Sequence, residues 1–279
     1  MFIPEFLMKL GNDSAANRAW LESLPSVIEK IKEEWKLEIG NPFLENATCS
    51  YVAPCVVNEI EQAVLKIGLP HEEALHEIDG LRLLNGNPTV RLLNFDTKTN
   101  AMLLEQCLPG TQLATVPETI QDEIISRLLS EIWKTNYIGE NFRPLANMIS
   151  QWNKETFEKL ERFPDPDLAI EGCKLKEKLI ESTEESVLLA TDLHAGNVLR
   201  AERKDWLVID VKPYIGDRTY DLTQHLLNCI ERLTENPDAA INRVAKLAGV
   251  SSSRLSDWIF ARLASENGGV HQKLVSKLR

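Results

Sequence analysis

The strongest constraint on this chain is the stretch from Leu188 to Tyr220, LLATDLHAGNVLRAERKDWLVIDVKPYIGDRTY, where Asp192, Asn197 and Asp210 punctuate short apolar runs. Runs this short, rich in branched residues and bounded by polar turns, predict buried strands over Val187 to Ala190, Val198 to Leu199 and Trp206 to Ile209. The polar segment Glu202 to Asp205 then reads as a hairpin turn. Such a hairpin carries Asn197 and Asp210 towards the same end of a small sheet.

These residue types suit phosphoryl transfer. One carboxylate orients an acceptor hydroxyl and takes its proton, while a carboxylate and an amide oxygen hold the magnesium ions that neutralise the phosphates. Mg²⁺ prefers hard oxygen ligands and takes only one or two carboxylates from a protein, so an Asn/Asp pair suffices. The pattern D-x-x-x-x-N, followed by an apolar strand ending in Asp, matches the catalytic loop and metal-binding Asp of protein kinases. Each residue taken singly is also an ordinary turn former. Their order and flanking strands favour the site.

The wording TDLHAGNVL followed by WLVIDVKPYIGDRTYDL resembles the aminoglycoside phosphotransferases, in particular the branch of streptomycin 6-kinases and hydroxyurea phosphotransferases, over roughly Trp35 to Ala264. The resemblance implies an α+β, two-lobed protein-kinase-like fold. Its small antiparallel-sheet N-terminal lobe would span residues 1–106 and its mainly helical C-terminal lobe residues 107–279. It further implies ATP or GTP as donor, Mg²⁺ as cofactor, Asp192 as catalytic base, and Asn197 and Asp210 as metal ligands. The family's His-Gly-Asp-Leu-His loop is altered here, since Ala190 and Thr191 precede Asp192. That departure leaves an inactive nucleotide-binding relative as an alternative.

Upstream, Ser14 is an N-cap for a helical stretch reaching Glu34, with Pro25 expected to break or kink it. Trp35 to Ile39, Ser50 to Val57 and Gln62 to Ile67 read as antiparallel strands, with GNPFLENAT where a kinase covers the ATP phosphates. In the third strand Lys66 resembles the kinase lysine that contacts the α- and β-phosphates, or else guards an edge strand. Its partner on the helix His71 to Leu84 would be Glu77, with Glu73 one turn earlier as the fallback. Strands Thr89 to Asn94 and Ala101 to Gln106 follow, and the resemblance implies that backbone groups of Glu105 to Cys107 meet the adenine edge. Pro109 and Gly110 mark the lobe boundary. The capping-box pattern Thr115-x-x-Glu118 predicts a helix from there to about Tyr137, and helices are expected over 144–162 and 167–182.

Composition describes an expected partner. A net charge of −11 disfavours nucleic acid and anionic membranes and favours a cationic ligand, although 42 acidic residues also simply keep a protein soluble. The N-terminus lacks a basic, apolar leader and no eighteen-residue apolar run occurs, so a cytoplasmic location is expected. Five cysteines without a C-x-x-C pair read as reduced thiols.

Two further expectations concern the end of the chain and the acceptor. INRVAKLAGVSSSRLSDWIFARL resembles a helix-turn-helix, with Gly249 at the turn, Ser251 as cap and Arg254 and Arg262 on the second helix. As a packing element instead, it would bury Val244, Leu247, Leu255, Ile259 and Leu263, and Arg254→Ala should barely affect function. The branch implies a small-molecule hydroxyl acceptor such as cationic streptomycin, with a metabolite or hydroxyurea kinase as the alternative. Lys212 would neutralise charge beside the transferred phosphoryl group. Asp217 would receive a cationic group of the acceptor, or cap the helix beginning near Tyr220.

Overall fold

The computed structural model describes residues 2–44, 49–71 and 75–278. Two compact units emerge, one of residues 1–111 together with 199–209, the other of residues 112–198 together with 210–279. The segment 199–209 therefore joins the first unit, whereas its position in sequence had put it in the second lobe. Glu73 and residues 45–48 of the GNPFLENAT segment lie outside the described residues.

In the first unit a short helix α1 (Glu5–Leu10) precedes α2 (Ala15–Glu34), where Ser14 accepts from the amide of Asn17 as the expected cap. Pro25 does not break α2. It removes one amide donor, but Leu24, Ile28 and Ile31 stay in register on the face buried in the unit's core, and that burial outweighs one missing bond. The helix leads into β1 (Leu37–Ile39), β2 (Ser50–Val57) and β3 (Glu61–Gly68). Helix α3 (Glu77–Leu84) then precedes β4 (Leu92–Asp96) and β5 (Ala101–Glu105). These five strands form one antiparallel sheet in the order β1-β2-β3-β5-β4. Tyr51, Ala53, Cys55, Ala63, Leu65 and Ile67 alternate inward and pack with α2. The strand β6 (Pro109–Gln112) closes this part of the chain.

The second unit is mainly helical. Helix α4 (Glu118–Trp133) starts after Pro117, and no side chain caps it. The expected capping box is absent, because the Thr115 hydroxyl donates to the Gln112 carbonyl inside a 3-10 turn, and the helix stops short of Tyr137. Next come α5 (Leu145–Glu158), α6 (Pro166–Glu181) and β7 (Val187–Leu189). The chain then makes β8 (Val198–Ala201) and β9 (Leu207–Val208), which pair with each other, β8 also pairing with β6. It returns through β10 (Tyr214–Gly216), antiparallel to β7, into α7 (Arg218–Asn228) and α8 (Ile230–Glu235).

The last helices, α9 (Pro237–Ala248), α10 (Ser252–Ser265) and the short α11 (Gln272–Val275), settle the helix-turn-helix question by burial. Gly249 takes a left-handed φ of +67° and Ser251 caps α10, as expected of the turn. Yet α10 buries Leu255, Trp258, Ile259 and every residue from there to Ser265. It packs so closely on α6 that a Cβ at Gly172 would stand 2.8 Å from the Ala261 carbonyl oxygen. A helix buried on this scale cannot lie in a DNA groove. Leu247 departs from the expected core, being 40% exposed on the outer side of α9. Among the described residues, no helix is long and apolar enough to cross a membrane, and Cys55, Cys107, Cys173 and Cys229 are buried free thiols, with Cys49 half-buried.

Candidate active site

Within the second unit, the turn after β7 gathers the residues singled out from sequence. Asp192 and Asn197 bracket a tight loop in which the Asn197 side-chain amide donates to the Asp192 carbonyl at 3.0 Å. Tethering that nitrogen leaves the Asn197 amide oxygen as the hard donor a magnesium ion requires. The His194 ring caps the 3-10 turn Ala195–Asn197, its Nδ1 accepting from the Gly196 amide at 3.1 Å. Burial lowers the His194 pKa against the pull of Asp192 and Asp210, keeping the ring neutral and able to accept.

Asp192 is the best connected of the group. Its Oδ2 lies 2.6 Å from the Lys212 ammonium, and its Oδ1 accepts from the Gln224 amide at 2.9 Å. Asp192 and Lys212 side chains retain 24% and 22% exposure, so the pair stays open to solvent and ligands. Lys212 lies in the irregular segment between Asp210 and β10, and its amide donates to the Ala190 carbonyl at 3.0 Å, which brings the two segments together.

The unusual Ala190-Thr191 pair now has a structural explanation. Thr191 adopts φ +53°, a left-handed conformation costly for a β-branched residue. Three bonds hold it there: its amide donates to Asp221 Oδ1 at 2.6 Å, the Ala190 amide to Asp221 Oδ2 at 3.0 Å, and its hydroxyl to the Lys212 carbonyl at 2.6 Å. Asp221 is fully buried on α7 and also accepts from the Trp133 indole at 2.9 Å. Burial pushes its carboxyl up to about 6, and the three N–H groups it accepts from oppose that rise.

Asp217 is in a different position. Its carboxylate caps α7 through the Thr219 amide at 2.9 Å and accepts from the Arg254 Nε and the Trp258 indole, each at 2.6 Å. At 5% exposure it is closed to a substrate, so the capping alternative replaces the expectation of a ligand contact. Arg254 also reaches the Leu179 carbonyl and the Ser182 hydroxyl and is a structural tie.

In the first unit, Lys66 and Glu77 form a buried pair, Nζ to Oε1 2.5 Å, at 8% and 3% exposure. Lys66 lies on β3, between β2 and β5, so the edge-strand alternative does not apply. Glu77 sits in the first turn of α3, shorter than the expected helix from His71. The Glu105 amide is occupied by the Arg91 carbonyl at 2.9 Å, which removes it as an adenine donor. Its side chain holds Arg203 in a two-pronged pair, both contacts 2.8 Å, while Arg203 also reaches the carbonyls of Gly86 and Thr89. Burial opposes ionisation of Glu105, but Arg203 wins and lowers its pKa. Cys107 is buried, which pushes its thiol up to about 11 and makes it an inert wall.

Sequence reasoning missed Gln224, Asp221 and Arg203. Asp221 is part of the quoted GDRTYDL wording, but nothing local in sequence marks the other two.

A family model described as aminoglycoside/hydroxyurea antibiotic resistance kinase matches residues 38–271. A streptomycin 6-kinase of Streptomyces glaucescens is 28% identical over 256 residues, 88% of this chain and 82% of that protein. A hydroxyurea phosphotransferase of Kitasatospora aureofaciens is 30% identical over 226 residues, covering 79% and 66%. Among solved structures, choline kinase LicA of Streptococcus pneumoniae superposes with a TM-score of 0.65 at 15% identity, over 91% of this chain and 98% of that one. A spectinomycin phosphotransferase does so at 0.56 and 15%, over 91% and 88%. The fold is that of the protein-kinase-like small-molecule kinases, and the chain belongs to the aminoglycoside/hydroxyurea antibiotic resistance kinase family.

Proposed function

We propose that the protein transfers the γ-phosphoryl group of ATP or GTP to a hydroxyl of a cationic, aminoglycoside-type acceptor such as streptomycin. The observation that carries this reading is Asp192, partly exposed in its Asp/Asn turn with Lys212 on one carboxylate oxygen. In the reaction the acceptor oxygen bonds to the γ-phosphorus as the bond to the departing nucleoside diphosphate breaks, and Asp192 takes the hydroxyl proton. Asn197 and Asp210 would hold Mg²⁺, which when bound neutralises phosphate charge. Lys212 screens Asp192 from the approaching phosphoryl group. Lys66, fixed by Glu77, is the phosphate contact on the sheet. Glu105 keeps only a carbonyl-side or structural part in adenine binding, and the backbone groups of Cys107 meet the adenine edge. Asp217 is assigned to the fold.

The choice of acceptor is supported by the relatives, one named a streptomycin 6-kinase, and by the net charge of −11, which steers cations. The relative named hydroxyurea phosphotransferase supports a second reading with hydroxyurea as acceptor. A phosphate-transfer assay of the purified protein against streptomycin, hydroxyurea and neutral sugars separates them. Streptomycin is expected to be phosphorylated, with a KM that rises with ionic strength. Transfer to hydroxyurea or neutral sugars alone would overturn the aminoglycoside assignment.

A further inference from the structure

The two oxygens of the Asp192 carboxylate are held by donors of different character. Oδ2 meets Lys212, an ammonium on a flexible stem, whereas Oδ1 meets Gln224, whose side chain is itself anchored. A glutamine amide can present either its NH₂ or its oxygen, and its surroundings decide which. Here Arg262 decides. Its Nη2 lies 3.1 Å from Gln224 Oε1, and a guanidinium can only donate, so the NH₂ end must face Asp192. Arg262 is 6% exposed and cannot turn away. Its Nε donates to Glu266 at 2.9 Å and its Nη1 to the Thr223 hydroxyl at 2.6 Å, with the Tyr220 ring centroid 5.2 Å from the guanidinium carbon.

We propose that Gln224 is a positioning residue for phosphoryl transfer, its amide oriented by Arg262 so that Oδ1 of Asp192 is pinned and Oδ2 is the oxygen presented to the acceptor hydroxyl. The inference rests on the reading of Asp192 as the base. The chain Glu266–Arg262–Gln224–Asp192 fixes the rotation of the carboxylate, while Lys212 can yield its place to an incoming hydroxyl. Misorientation of a reacting group on the scale of 1 Å costs about a hundredfold in rate, so loss of this pin acts on turnover rather than binding.

The test is steady-state kinetics of Gln224→Leu and Gln224→Glu in the full chain, with MgATP and streptomycin or hydroxyurea, or with water as acceptor where neither is phosphorylated. Gln224 is half-buried; the glutamate variant, which keeps the contact with Arg262, is expected to melt as the parent does, whereas the leucine variant strands one Arg262 N–H and is expected to melt lower, and should it fail to fold the glutamate variant carries the test. Each should lower kcat about ten- to a hundredfold with the MgATP KM within about twofold. Added to Asp192→Asn, Gln224→Leu should have no further effect, because it works only through that carboxylate. Wild-type kcat in either folded variant, a loss confined to KM, or an equal loss in the Asp192→Asn background would overturn the proposal. Full turnover of Asp192→Asn alone would instead sink the base assignment beneath it.

Discussion

Asp192 and Asp217 lie in one stretch of sequence and both look like site residues, yet the fold treats them in opposite ways. The Asp192 side chain keeps 24% of its surface and shares its oxygens with an ammonium and an amide. The Asp217 side chain keeps 7% and is surrounded by a backbone amide, a guanidinium and an indole packed from α10. A similar supply of donors therefore leaves an accessible carboxylate in one place and a rivet in the other. Access decides between them, because chemistry needs an oxygen that a substrate can reach.

The largest expected effect breaks the comparison on the Asp192 side. Asp192→Asn should lose about two to four orders of magnitude in kcat with unchanged melting temperature and MgATP affinity, seen by steady-state kinetics and calorimetry. Asp217→Ala should do the reverse. It strands the Trp258 N–H and the Arg254 guanidinium, costing about 3 kcal/mol in urea unfolding while the folded enzyme keeps its turnover. A catalytic defect in folded Asp217→Ala, or a stability defect alone in Asp192→Asn, would erase the distinction.

Two smaller effects sharpen it. Asp122, buried on α4, shows what a rivet does with pH: burial opposes its charge, but His225 and Arg232 overcome that and lower its carboxyl from 3.8 to about 2. A depressed carboxylate stabilises the fold fully above its unfolded pKa, so about 2 kcal/mol should be kept at pH 6 and lost as pH falls from about 4 to about 2. Acid denaturation of Asp122→Asn should lack that component. The smallest change is Leu247→Ser, at the exposed residue of the helix-turn-helix look-alike, expected to alter stability by less than about 0.5 kcal/mol, whereas Leu255→Ser at 0% exposure should cost several times more.

Much of this was legible in the chain itself. Alternating apolar residues located β2 and β3, and Ser14, Gly249 and Ser251 took up the cap and turn positions their chemistry suits. The order of Asp192, Asn197 and Asp210 marked the loop, and Lys66 with Glu77 formed the pair anticipated for them. Where local signals competed with packing they failed. Pro25 stayed inside α2 because its neighbours are buried, and Thr115 turned back to Gln112 rather than capping α4.

Strand period, turn residues and motif spacing are properties of neighbours in the chain, so the sequence by itself determined them. Partners were decided only in three dimensions. Arg203 meets Glu105, Gln224 meets Asp192, and Asp221 holds the left-handed Thr191, each across a long loop of chain. Nothing within a few residues of Gln224 distinguishes it from a solvated helical glutamine. Its role exists because α10 places Arg262 behind it, and a guanidinium, having no acceptor, leaves the amide one way to point.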